Sequence, residues 1–303
     1  MAVSVMRQET NAAFHSAAGE ESLRTFPLGD EHRVEVLAFL AARPVHTVYM
    51  ASLICDNGMV SRLNRGTFYG CRDEEGSLFG VALIGHATLV EARCDAALEA
   101  FARLARGCRR AYLIRGEQDV IDKFWNYYST DDGARPRLVC REMLYEQRTP
   151  LATPKPVPEL RQATLADIEE VMRVNAAMAV AESGVNPMER DPIGFRIRTA
   201  RRIEQGRIWV WRDDAGLVFK ADVLAETPEA VYLEGVQVRA DERGKGLGQR
   251  CMSQLGHELL RRADVICLVV NEQSEAAQAF YQKSGYRFCG YYDTIYLQER
   301  GGN

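Results

Sequence analysis

The sequence predicts an α+β protein of two tandem domains, each a mixed, mostly antiparallel sheet flanked by helices. Three observations carry this. A chain of 303 residues lies at the upper end of what one hydrophobic core supports, so two domains are the default. The stretch TPLATPKPVP, Thr149 to Pro158, holds four prolines, which favour extended backbone and cannot continue a helix or a central strand. The order strand, helix, strand, helix, strand ends the chain, and a blurred copy of it precedes the prolines. The expected organisation is residues 1–20 as a disordered segment, 21–148 as a first domain, 149–158 as a linker and 159–303 as the second domain.

Each element follows from its local pattern. The opening MAVSVMRQETNAAFHSAAGE is small, polar and aperiodic, the composition of an unordered segment. GTFYGCRD and SLFGVALIGH read as a hairpin, DAALEAFARLARG as a helix, RAYLIRG as a strand, QDVIDKFWNYYS as a helix and RLVCREMLYEQ as a last strand. Past the linker, LRQAT is a short strand. Thr164 then caps a helix to about Val180 whose Ile168, Val171, Met172 and Val174 share a face. A second helix follows Asp191-Pro192. RIWVWRD, LVFKADVLAE and AVYLEGVQVRA form an antiparallel meander, with turns at Asp213 to Gly216 and at Thr227-Pro228. Leu247, Cys251, Leu255 and Leu259 recur every four residues and make Gly246 to Arg262 an amphipathic helix. VICLVV is an unalternated β-branched run, a strand covered on both faces. Ser274 to Ser284 is a helix ended by Gly285, and YRFCGYYDTIYL is the closing strand.

Composition narrows the function. With 47% hydrophobic and 26% charged residues and a net charge of -4, the chain has no electrostatic footprint for nucleic acid, so a small-molecule substrate is the default. No apolar run reaches the length of a signal peptide or a membrane span, which predicts a cytoplasmic protein. Eight cysteines contain no C-x-x-C pair and the five histidines have no ligand spacing. The expectation is buried thiols in a reducing compartment and no metal.

One loop carries the chemistry. In DERGKGLGQR, Gly244, Gly246 and Gly248 alternate with Lys245 and Leu247 between an apolar strand and a helix. The dinucleotide pattern G-x-G-x-x-G fails, because the third position after Gly246 is Gln249 and after Gly248 is Cys251. A Walker A loop fails too, because Lys245 is followed by Gly246. Two readings remain: an anion held on the helix N-terminus, with Arg243 and Lys245 adding charge, or a flexible strand-to-helix turn.

VQVRADERGKGLGQRCMSQL resembles the acyl-CoA motif of the GNAT acyltransferase superfamily, with Arg243, Gly246 and Gly248 on its pyrophosphate-binding positions. VVNEQSEAAQAFYQKSGYRFCGYY is similar to that family's next segment. The resemblance covers about Leu160 to Leu297, and the first half only as topology. It implies acetyl-CoA as co-substrate, bound by Val236, Gln237 and Val238 through the strand backbone and by Arg243, Gly244, Lys245, Gly246, Leu247 and Gly248 through the loop. Asn271 would bond the pantetheine arm or cap the next helix. Tyr281 falls where the family keeps an acid for the departing thiolate, and Glu234 is the candidate base, with Glu226 and Asp222 as substitutes. By the two-residue period, Glu234 shares a strand face with Val236 and Val238 unless a bulge intervenes.

The first half departs from this pattern. HATLVEARCDAALEAF has no glycine, and Glu91 and Asp95 near its helix start would repel a pyrophosphate; it reads as a domain without a cofactor site that walls the substrate cleft. The expectation is an N-acetyltransferase acting by direct attack of a small-molecule or protein amine in a ternary complex. The rival is a non-catalytic acyl-CoA sensor or interaction module. The acceptor's identity and the oligomeric state, a homodimer included, are left open.

Overall fold

The computed structural model describes residues 23–129, 135–152 and 155–298; the segment expected to be disordered and part of the linker lie outside the described residues. The first half runs β1 (Arg24–Pro27), α1 (Arg33–Ala41), α2 (Pro44–Asn57), β2 (Gly66–Arg72), β3 (Leu78–Gly85), β4 (Ala87–Ala92), α3 (Asp95–Arg106), β5 (Leu113–Glu117), α4 (Gln118–Tyr128) and β6 (Pro136–Gln147). The second runs β7 (Arg161–Gln162), α5 (Ile168–Ser183), α6 (Pro187–Arg190), α7 (Pro192–Glu204), β8 (Ile208–Asp213), β9 (Gly216–Glu226), β10 (Val231–Val238), α8 (Leu247–Leu259), β11 (Ile266–Asn271), α9 (Glu275–Lys283) and β12 (Arg287–Leu297). Local signals set most of these boundaries. Thr164 and Asp167 form a capping box ahead of α5, and the Asp191 side chain accepts the Gly194 N–H at 2.9 Å to start α7.

The strands form one continuous mixed sheet in the order β1-β2-β3-β4-β5-β12-β6-β11-β10-β9-β8-β7. Its centre is an exchange. β12, the last strand of the second half, pairs antiparallel with β5 of the first, Tyr292 opposite Glu117 and Tyr296 opposite Leu113. β6, the last strand of the first half, pairs antiparallel with β11 of the second, Ile266 opposite Gln147 and Asn271 opposite Glu142. The halves therefore interlock through hydrogen-bonded strands rather than meeting at a surface.

Two parallel pairs open into wedges. β10 meets β11 only at Val231↔Ile266 and Tyr232↔Cys267, and β4 meets β5 only at Ala87↔Leu113 and Thr88↔Ile114. Each face is then covered. On one, Leu255, Leu259 and Cys251 of α8 and Tyr281 of α9 pack on Phe219, Val223, Leu233 and Leu268. On the other, Val48 of α2 packs on Leu144, Ala225, Tyr232 and Tyr292, so a helix of the first half lies across strands of the second. Sequence periodicity carries no sign of α1 and α2. In α2 the buried set is Thr47, Val48, Met50, Ala51, Ser52 and Ile54, too wide for a single stripe, because the helix is wedged between two packing surfaces.

Candidate active site

After β10, a single 3₁₀ turn from Ala240 to Glu242 leads into Arg243 and the three glycines, which serve two different purposes. Gly244 (φ +76°) and Gly246 (φ +78°) are left-handed, and a Cβ on either would meet nothing within 4 Å. Backbone conformation alone demands glycine there, and it leaves open space over the loop. Gly248 has ordinary backbone, but its Cβ would lie 2.8 Å from Val238 Cγ2 and 2.9 Å from Phe280 Cε2. It lets α8 press against β10 and α9. No side chain caps α8, so its first N–H groups are left without a side-chain partner at the positive end of the helix dipole. Arg243 is anchored by its Nε, which donates to Val238 O at 2.9 Å, and the Lys245 ammonium donates to Glu242 at 3.1 Å.

The strand before the loop is bulged. Glu234 pairs with Asp222 and Gln237 with Lys220, one residue more on β10 than on β9, and Gly235 absorbs the kink at φ +59°. This corrects the period-two expectation. Val236 and Val238 pack beside Tyr281 on the α8 and α9 face, whereas Glu234 lines a cavity on the opposite face. Lys220, fully buried, holds the bulge by donating from Nζ to Gly235 O at 3.0 Å, and its ammonium sits 2.7 Å from the equally buried Asp222. Gln237 keeps a buried Oε1 with no hydrogen-bond partner among the described residues, so the run expected to hold the pantetheine arm contains an unused acceptor.

The remaining candidates separate by their contacts. Tyr281 is buried, its ring edge-on to Tyr286 at 5.7 Å, and burial pushes its phenol above its ordinary value. Tyr286, which sequence reasoning did not single out, has a buried hydroxyl without a partner among the described residues. Asn271 ends β11, and its Oδ1 accepts the Gln273 N–H at 2.8 Å, the local turn-capping role. Both substitutes for the base are engaged elsewhere: Asp222 with Lys220 and with Asn175 Nδ2 at 3.1 Å, Glu226 with Arg262 at 2.8 Å. Glu234 receives Arg202 at 2.8 Å on Oε1 and keeps a third of its side chain exposed.

The cavity that Glu234 lines measures about 320 Å³ and lies between the halves. α2 supplies His46 and Tyr49, β4 and β5 supply Glu91, Arg115 and Glu117, and the exchanged β12 supplies Tyr292 and Tyr296. Arg115 reaches across the sheet to donate to Tyr232 Oη at 2.7 Å, and His46 Nδ1 lies 2.8 Å from Tyr292 Oη. Glu91 does not guard the start of α3, as the sequence suggested. Buried, it turns into this region and pairs with Arg43 at 3.3 Å, while Asp95 is neutralised by Lys123 at 2.8 Å.

Residues 204–288 match the family model of the acetyltransferase (GNAT) domain. No curated protein matches the chain in sequence. Among solved structures, a Drosophila protein superposes with a TM-score of 0.65 at 13% identity, over 91% of this chain and 99% of that one. A tandem GNAT protein from the clavulanic acid biosynthesis pathway gives 0.57 at 13%, over 93% and 100%. A GCN5-related N-acetyltransferase from Sphaerobacter thermophilus gives 0.59 at 13%, over 93% and 97%. At such identities these likenesses speak for the fold, and they extend over both halves.

Proposed function

From the premise that this chain carries a GNAT acetyltransferase domain over residues 204–288, we propose that it transfers an acetyl group from acetyl-CoA to a primary amine by direct attack in a ternary complex. The observation that carries this is the uncapped start of α8, fronted by two left-handed glycines with open space above them, at the mouth of the wedge between β10 and β11. Leu247, Gly248 and the loop N–H groups would hold the pyrophosphate, with Arg243 and Lys245 supplying charge. Among the described residues β11 pairs with none of Leu233 to Val238, so the backbone of Val236, Gln237 and Val238 is available to the pantetheine arm.

Bound acetyl-CoA would supply a thioester in the wedge. The bulge then gives each face of the sheet its own task. Glu234, on the cavity side, takes a proton from the incoming ammonium or through an intervening water. Tyr281, on the α8 and α9 side, gives a proton to the leaving thiolate; burial keeps its phenol protonated until then. Lys220 fixes the bulge so that the β10 amides stay aimed at the developing oxyanion with little reorganisation. A covalent route through Cys251 or Cys267 lacks support, because burial pushes the Cys251 thiol up to about 12 and raises that of Cys267 further.

The test is thiol release from acetyl-CoA with a panel of primary amines, beside calorimetric titration of acetyl-CoA. One-site binding with amine-dependent thiol release is expected. Binding without release from any amine would favour the sensor reading, and no binding to folded protein would remove both.

A further inference from the structure

The charges lining the inter-half cavity cancel in pairs, with one exception of each sign. Arg115 faces Glu142 at 3.2 Å and Arg202 faces Glu234 at 2.8 Å. Glu117 pairs with Arg43, and Glu91 lies between Arg43 at 3.3 Å and Arg93 at 3.9 Å. Arg65 has no carboxylate partner among the described residues, and Glu182 has no cation within ion-pairing distance among them, only the Tyr296 hydroxyl donating to it at 3.2 Å. Resting on the acetyltransferase reading, we infer that this cavity takes a zwitterionic acceptor of amino-acid type, its carboxylate on Arg65 and its ammonium between Glu182 and Glu234.

Arg65 has its backbone fixed where it ends the 3₁₀ turn Arg62–Asn64. It is the one non-glycine residue at positive φ among the described residues (φ +54°), a conformation that costs free energy and is kept where the surroundings fix it. Here the His86 N–H donates to Arg65 O at 2.9 Å, and a Cβ on Gly85 would lie 2.2 Å from that same oxygen. Near it stand Arg190 and Arg198, the latter paired with Asp191 at 2.9 Å. His86 stacks on Tyr112 at 4.9 Å, and the Arg190 guanidinium lies 4.6 Å over the other partner of that stack. Burial, then Arg65, Arg190 and Arg198, hold the His86 imidazole down to about 4, so at neutral pH it stays uncharged and leaves an incoming carboxylate to Arg65. The volume, about 320 Å³, lies at the lower end of the roughly 300–1,000 Å³ of small-molecule pockets.

The full-length protein is assayed for thiol release with free amino acids and with their carboxamides, and each is titrated calorimetrically into the protein saturated with CoA. Free amino acids should exceed their amides by roughly 10- to 100-fold in kcat/KM, the scale of one charge-assisted contact. Arg65→Gln should bring that ratio close to one, mainly through KM, and Arg65→Lys should restore part of it. Glu182→Gln, on an exposed helix position that does not threaten folding, should weaken binding of the free acid and the amide alike by about tenfold, because both carry the ammonium. Carboxylate-dependent binding without turnover would sink the acetyltransferase reading and leave this inference standing. Turnover of amides or peptide N-termini equal to that of free amino acids, or an unchanged ratio in Arg65→Gln, would overturn the inference alone. If Arg65→Gln fails to fold, unchanged affinity in Glu182→Gln overturns it.

Discussion

Gly246→Asn separates an anion-binding loop from a flexible turn, and the structure supplies the magnitude. At φ +78° with nothing within 4 Å of a Cβ, the free protein loses only backbone freedom when a side chain is added. For Ala that is about 1–2 kcal/mol of left-handed strain, or a few degrees in melting temperature at roughly 2–4 °C per kcal/mol. Asn tolerates the left-handed region, so Gly246→Asn should melt closer to the parent than Gly246→Ala. Both put atoms where a pyrophosphate would lie, so both should weaken acetyl-CoA binding alike, by more than tenfold on the scale of charge-assisted contacts. Gly248→Ala is the control. Its Cβ would meet Val238 and Phe280 below 3 Å, overpacking that costs about 1–3 kcal/mol, so stability and binding should fall together. Calorimetric titration and scanning calorimetry on the three variants decide the matter. Affinity loss that merely tracks the melting temperature, or parent-like binding by Gly246→Asn, would refute the anion site.

Further outcomes follow from other parts of the molecule. Tyr281→Phe should leave acetyl-CoA affinity nearly intact and lower turnover by roughly 10²- to 10⁴-fold; parent-like steady-state rates would reduce the ring to packing. Glu234→Gln should move the rise of kcat/KM with pH to higher pH, and a superimposable profile would transfer the base to a water chain. His86 is held at about 4 against an ordinary 6.5, so the unfolded chain binds a proton that the folded one refuses between those values. Its contribution is therefore complete above pH 6.5 and lost progressively as pH falls towards 4; urea midpoints at pH 7 and 4.5 should converge in His86→Gln relative to the parent, and an unaltered difference would contradict this. Cleavage within residues 149–158 should leave two pieces that co-elute, because β12 and β6 are exchanged, whereas free separation in native buffer would contradict the interlock.

What could be read from the sequence was what has a local cause. The period-two strands β8 to β10, the four-residue period of α8 and the Gly285 stop after α9 each follow from neighbours in sequence, and so does the Arg243 to Gly248 loop. The bulge was half legible: an isolated glycine inside a strand pattern is its usual sign, and Gly235 stands in AVYLEGVQVRA. A bulge at that glycine is enough by itself to move Glu234 off the Val236 face. The exchange of β6 and β12 had no such sign, because both strands present the same kind of pattern and either pairing would satisfy it locally. Its consequence reaches the chemistry. By inserting β12 beside β5, the exchange brings Tyr292 and Tyr296 next to the first-half residues of the cavity, Glu91, Arg115 and Glu117, and opposite Glu234 and Arg202 of the second, while α2 packs on Tyr232. An acceptor there would touch both halves at once, and it would approach Glu234 from the face opposite Tyr281. A proton would then leave on one side of the sheet and arrive on the other, with the β10–β11 wedge as the gap between them.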